Sequence, residues 1–355
     1  MIVALRSRAA SALLLASAAL VSLPGCDDGA SATSTSAGGA ASASASTAVS
    51  STSGSTDTSS SSGTGGAPDP GPDVDLTDPQ LYAVDLTADE ADPAATKALG
   101  IEPAFLDTRV APRGELVVFL HGAGTPAVCG SKAHEEVLAG FGFHVFAPCY
   151  VSDYGVGNCG ADIEGCRLEA FEGVDHTSVI DIAPADSVET RIVKGLLHLA
   201  VVNPAGDWGW FVERGAPRWD RIVVSGISHG ASSSGVIGVH RAALRVVMLS
   251  GPLDSGQAWL KKAPLTPIDR FFGFTHTADP QHAGHLQSFE DMGLPGVPAA
   301  VDDASPPYGG SHRLVTSAPT SDGHSSLQAG GSSPKAGDGS YAFLPAWRAL
   351  YGVPE

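Results

Sequence analysis

The sequence predicts an α/β fold, a mostly parallel sheet with helices on both faces. Three observations lead there. Short apolar runs at 115–120, 221–225, 245–249 and 271–275 are solid rather than alternating, as in strands buried on both sides. Helical patterns lie between them, so the order is strand, helix, strand. Of the 355 residues, roughly 285 remain once the two amino-terminal segments described next are set aside, enough for one large core.

Residues 1–25 read as an export signal. Arg6 and Arg8 supply a positive start, and an apolar stretch from Ala9 to Leu23 follows, too short to span a bilayer comfortably. Leu23-Pro24-Gly25-Cys26 resembles a bacterial lipobox, in which the cysteine takes the lipid and cleavage falls before it. Lipidation at Cys26 would anchor the mature chain to a membrane without spanning it. Ordinary signal cleavage, with Cys26 incidental, is the other reading. Residues 26–79 form the predicted disordered tether. From Ser31 to Gly66, 34 of 36 residues are Ser, Ala, Thr or Gly, with almost nothing to bury. The stretch 67–79, rich in Pro and Asp, is a stiffer exit into a domain at 80–355.

Within that domain, 115–120 is the first solid strand, ended by His121-Gly122-Ala123-Gly124. A helix is expected over 131–139 with Glu135 and Glu136 outward, then a strand at 143–146 stopped by Pro148. The connection at 150–219 is long and is predicted to form a cap-like insertion. It contains the clearest helix, 186–202, with Asp186 and Glu189 as cap and third residue. Val188, Ile192, Val193, Leu196, Leu197 and Leu199 make its apolar stripe. Trp208, Trp210 and Trp219 follow, for core packing or for a pocket wall. Strands at 221–225, 245–249, 271–275 and 313–316 and a closing helix at 346–351 complete the pattern.

Setting Cys26 apart leaves Cys129, Cys149, Cys159 and Cys166. An even number in an exported chain suggests two disulfides. Cys159 and Cys166 enclose a short loop and are the first pair. Cys129 with Cys149 is the second by default, with buried free thiols as the alternative.

The chemistry concentrates at Gly226-Ile227-Ser228-His229-Gly230, a G-x-S-x-G string between a strand and a small-residue helix. Such a turn strains the serine backbone, needs glycine on either side, and aims helix N–H groups at developing negative charge. From about Leu81 onward the sequence resembles the α/β-hydrolase superfamily. More narrowly it is similar to a branch of exported bacterial α/β hydrolases. That likeness rests on the cysteine loop running into Arg167-Leu168-Glu169, on Pro217-Arg218-Trp219-Asp220, and on the stretch from Tyr308 to Val315. The resemblance implies the α/β-hydrolase fold, Ser228 as nucleophile, and an oxyanion hole from the N–H of Gly122 or Ala123 and that of His229. It also implies an acid after a late strand, Asp279 in preference to Asp254, and His324 as base. His285 and His312 are the other bases open if the last strand is misplaced. His276, Asp279, His282 and His285 recur every third residue, but Pro280 and Gly284 argue against a regular helix presenting them to a metal, and no metal or cofactor is expected.

Twenty Lys and Arg stand against 38 Asp and Glu, a net charge of −18. Losing residues 1–25, with two Arg and no acid, takes it to −20. A nucleic-acid partner is therefore not expected. The expected function is an exported, lipid-anchored serine hydrolase acting on a small-molecule or lipid-like ester, its activity rising as the catalytic imidazole loses its proton. A non-catalytic surface-binding module on the same fold is the alternative.

Overall fold

The computed structural model describes residues 70–154 and 156–354, all within one compact unit spanning 66–355. The predicted signal segment, Cys26 and residues 26–69 of the tether lie outside the described residues. Before residue 80 the chain already meets the domain: the Asp73 N–H donates to Asp207 Oδ2 and the Asp75 N–H to the Ala205 carbonyl. No helix among the described residues is long and apolar enough to cross a membrane.

The strands are β1 (Leu81–Thr87), β2 (Ile101–Asp107), β3 (Leu116–Leu120), β4 (His144–Phe146), β5 (Ile222–Ile227), β6 (Arg245–Leu249), β7 (Phe271–His276) and β8 (Arg313–Thr316). They form one sheet in the order β1-β2-β4-β3-β5-β6-β7-β8, extended at its edge by the two-residue strand Ala299–Ala300. The pairings of β1 with β2 and β2 with β4 are antiparallel, and all others in this sheet are parallel. The helices are α1 (Lys132–Ala139), α2 (Ile163–Glu172), α3 (Val188–Val202), α4 (His229–His240), α5 (His282–Asp291) and α6 (Leu344–Tyr351). This is the α/β-hydrolase fold, with the serine turn at the carboxyl end of the central strand β5.

The solid apolar strands arise because the sheet is covered on both faces. In β3, Val117 and Phe119 face α1 and α6, in a core with Leu138, Trp347 and Leu350. Leu116, Val118 and Leu120 face the opposite side and pack with Val188, Ile192, Leu196 and Leu199 of α3. Alternate residues of one run thus fill two cores, and none has a reason to be polar. Trp208 is buried in that second core, and Trp210 and Trp219 pack against it.

The 150–219 insertion divides in two. Helix α3 is a sheet-covering crossover. Residues around α2 build a separate small core of Tyr154, Cys159, Ile163, Cys166, Ala170 and Ile182 over the carboxyl ends of the strands. Both expected disulfides are present, Cys129–Cys149 and Cys159–Cys166. The second ties the start of α2 to the turn before it.

Four local expectations need correction. Helix α3 starts at Val188 with Ser187 as its cap, the Ser187 hydroxyl accepting the Thr190 N–H. Asp186 instead accepts the Thr96 and Lys97 N–H groups and pairs with Arg191 at 3.0 Å, contacts that outweigh a local cap. Leu197 is exposed, because the buried stripe runs 188, 191, 192, 195, 196 and 199, with Arg191 held inside by that same carboxylate. Glu135 is buried rather than outward, its Oε1 accepting the Ser131 N–H. The run after Pro280 does form a helix, α5. Its Gly284 lies against the end of the Leu253 side chain.

These buried ionisable groups set a pH dependence. Burial drives His134 down to about 3, and His121, His144 and His285 down to about 4. It pushes the carboxyls of Glu102 up to about 7 and Glu135 up to about 8. Between about pH 4 and the ordinary imidazole value of ~6.5, the unfolded chain binds protons on these four histidines, and on His229, that the folded chain leaves bare, so stability rises with pH. The two glutamates act oppositely: folded they hold protons that the unfolded chain releases above ~4.5, so their contribution falls as pH climbs to about 8. The five histidines outweigh the two glutamates up to about 6.5, and the glutamates prevail at higher pH. The thermal midpoint is expected to peak near pH 6.5 and fall on either side. A midpoint still rising at pH 8 would contradict this balance.

Candidate active site

β5 ends at Ile227 and α4 begins at His229, so Ser228 must turn the chain alone. Its backbone sits at φ 58° and ψ −118°, a conformation an L-residue adopts only at a cost of about 1–3 kcal/mol. The two glycines make room for it. A Cβ on Gly230 would collide with the Leu120 carbonyl, and one on Gly226 would lie 2.6 Å from the Gly230 carbonyl carbon. The Ser228 N–H is held by the Leu249 carbonyl at 2.9 Å. Its hydroxyl faces a cavity of about 180 Å³ lined by Ala123, Arg167, Ser228, His229, Ser232, Ser250, Leu253, Asp254 and Gln281.

Asp279 lies in the turn after β7, with its carboxylate out of contact with solvent. Oδ1 accepts the Gln281 N–H at 2.9 Å, and Oδ2 accepts Nδ1–H of His324 at 2.7 Å. That bond fixes the His324 tautomer and leaves Nε2 bare, the nitrogen a general base needs. Gly323 lets the histidine loop approach: a Cβ there would lie 2.7 Å from the Asp279 nitrogen. The loop is also tied to the serine side, because Ser250 Oγ, on the cavity wall, donates to the His324 carbonyl at 2.6 Å. The structure thus joins His324 to Asp279 and places both, like Ser228, in loops that follow parallel strands of the sheet.

The other candidates have different surroundings. Asp254 lies on the cavity wall but is engaged elsewhere. Its Oδ2 accepts from Ser232 Oγ at 2.5 Å and from Trp259 Nε1–H at 3.1 Å. His285 is buried behind Asp279, 3.9 Å from Oδ2, with Nδ1 against Thr275 Oγ1 at 3.0 Å. His312 stacks on Phe272 and donates Nδ1–H to the Phe271 carbonyl. His276 donates Nε2–H to the Ala318 carbonyl and accepts the Ala278 N–H at Nδ1. His282 meets Thr275 Oγ1. The three-residue spacing therefore serves hydrogen bonds within the β7–α5 turn and from it to the segments that follow β8.

The glycine loop after β3 lies beside the nucleophile; a Cβ on Gly122 would be 3.6 Å from that of Ser228. His121 Nδ1–H and Ser152 Oγ both donate to the Gly122 carbonyl, at 2.7 and 3.1 Å, and turn it away from the cavity. The His229 N–H opens α4, where first-turn amides lack intrahelical acceptors. Donors from these two places can meet an oxyanion on Ser228.

Sequence reasoning missed the polar wall opposite. The Tyr150 hydroxyl donates to the His121 carbonyl at 2.7 Å, so His229 Nδ1–H donates to Tyr150 at 3.1 Å and its Nε2 accepts from Arg167 Nη1. Burial, reinforced by that guanidinium, holds His229 neutral, its pKa well below the ordinary imidazole value. A single Arg in the otherwise apolar side of α2, directly after a disulfide cysteine, was the available signal.

No protein-family model matches the chain, and no curated protein matches it in sequence. Among solved structures, the chain is similar to the feruloyl esterase module from Clostridium thermocellum, at 14% identity over 69% of this chain and 83% of that one, with a TM-score of 0.38. It is similar to esterase 2 of Thermogutta terrifontis at 15% identity, covering 76% and 90%, with a TM-score of 0.36. A hyperthermophilic esterase from Pyrobaculum calidifontis shares 14% identity over 62% and 75%, with a TM-score of 0.33. Likeness at this level assigns no residue and no substrate to this chain.

Proposed function

We propose that this chain is a serine hydrolase that cleaves an acyl ester through Ser228, His324 and Asp279. The observation that carries the reading is the 2.7 Å bond from His324 Nδ1–H to buried Asp279, in a loop tied through Ser250 to the cavity that a strained Ser228 lines. Ser228 Oγ attacks the acyl carbon while His324 Nε2 takes its proton. The N–H groups of His229 and of Ala123 or Gly122 meet the oxyanion, each worth about 3–4 kcal/mol where such donors have been removed. His324 returns the proton to the leaving alcohol, and water then frees the acyl group by the reverse sequence. Asp279 steadies the imidazolium.

The test is covalent. A fluorophosphonate probe is expected to label the full chain on the Ser228 peptide alone, with no label on Ser228→Ala. A folded protein that takes no label would favour the binding-module reading.

We also propose export and attachment to a cell-envelope membrane through lipid on Cys26. Two disulfides suit an oxidising compartment, which supports the export half. Cys26→Ser is expected to move the protein from the membrane to the soluble fraction, and continued membrane association would refute the anchor.

A further inference from the structure

Arg167 is 3% exposed and projects from α2 onto the cavity that holds Ser228. Its partners are neutral. Nε–H donates to Ser232 Oγ at 3.2 Å, Nη1 donates to the uncharged His229 ring, and the Tyr154 ring lies 5.2 Å from the guanidinium carbon. No carboxylate stands within ion-pair distance of it among the described residues. The other fully buried arginine is treated differently: Arg191 pairs with Asp186 at 3.0 Å and Glu102 at 3.5 Å and donates to backbone carbonyls. Buried guanidinium groups are ordinarily paired in this way, because an uncompensated charge away from water is costly. At Arg167 a directly bonded carboxylate is missing, and Asp254, which feels the guanidinium charge from the same cavity wall, has its carboxyl pushed up by burial.

Asp254 does not fill that place. It reaches Arg167 only through Ser232, whose hydroxyl accepts from Arg167 and donates to Asp254, and its Oδ2 already takes a second donor from Trp259. Ser228 and Ser232 line the same cavity, and the Ser232 N–H donates to the Ser228 carbonyl at 3.3 Å across the first turn of α4. The guanidinium beside Ser232 is therefore one helical turn from the nucleophile.

We infer that Arg167 binds a carboxylate carried on the acyl group of the substrate, making the cavity beside Ser228 a subsite for short acyl chains that end in an anion. The cavity volume of about 180 Å³ suits a chain of four or five carbons. Such substrates are half-esters of small dicarboxylic acids. The inference rests on the hydrolase reading above.

The test compares kcat/KM of the full chain for 4-nitrophenyl hemisuccinate and hemiglutarate with that for 4-nitrophenyl butyrate and valerate, the leaving group being constant. The anionic ester is expected to exceed its neutral counterpart of equal length by about tenfold or more, the value of one charge-assisted hydrogen bond. In Arg167→Met that ratio is expected to fall to about one, and Arg167→Lys is expected to restore part of it. Taking the ratio within each variant cancels any effect transmitted through His229. A readout free of variants is inhibition of butyrate-ester turnover by free acids, with glutarate expected to act at about one-tenth the concentration of valerate. Wild-type protein that cleaves neutral esters with no anionic preference, or is inhibited equally by both acids, overturns this inference and leaves the hydrolase reading standing. Protein that cleaves none of the esters and takes no fluorophosphonate overturns both.

Discussion

Ser228→Ala is expected to lower kcat for a 4-nitrophenyl ester by about 10⁶-fold, with His324→Ala close behind and the double variant no worse than either alone. The residues act as one unit, because a nucleophile without its base and a base without its nucleophile are equally idle. The fold should survive the serine change. The backbone strain at Ser228 is imposed by the β5–α4 turn and the close approach of Gly230 to Leu120, and the hydroxyl makes no hydrogen bond among the described residues. Thermal midpoints measured beside the rates would check this. A Ser228→Ala protein that keeps more than about one-hundredth of the wild-type rate would exclude Ser228 as the nucleophile.

Asp279→Asn is expected to lower kcat by about 10⁴-fold. An asparagine can keep the 2.7 Å contact but presents an N–H or a neutral oxygen, so the His324 tautomer is no longer fixed and the imidazolium loses its counter-charge. The same change at Asp254 is expected to cost about tenfold at most, since its oxygens bind Ser232 and Trp259 and touch no catalytic nitrogen. Single-turnover rates with a good leaving group would separate the two. The opposite ranking would transfer the acid to the loop after β6.

The strands that position the serine were legible because burial on both faces forces solid apolar runs, and 245–249 and 313–316 were read to the residue. The two antiparallel strands β1 and β2 carry no such signal. β1 lies at the edge, partly solvated, and β2 is broken by Glu102 and Pro103, whose places are set by the Arg191 contact and by the Ala147 N–H donating to the Pro103 carbonyl. The turn around Ser228 was equally legible, since backbone geometry there admits glycine at 226 and 230 and little else. Glu135 was misread because amphipathic spacing assigns a carboxylate to water, whereas a neighbouring N–H and burial hold it inside.

The parallel sheet, the elbow and the residue types that a triad needs follow from local burial and local backbone freedom, and so are written along the chain. Which carboxylate meets His324 is a matter of packing in three dimensions, since Asp254 and Asp279 follow strands in the same way and differ only in what packs around them. Packing alone brought Arg167 to Ser228, across 61 positions of chain. A guanidinium in a helix looks like a solvated residue until the fold takes it out of water and leaves its charge facing the nucleophile.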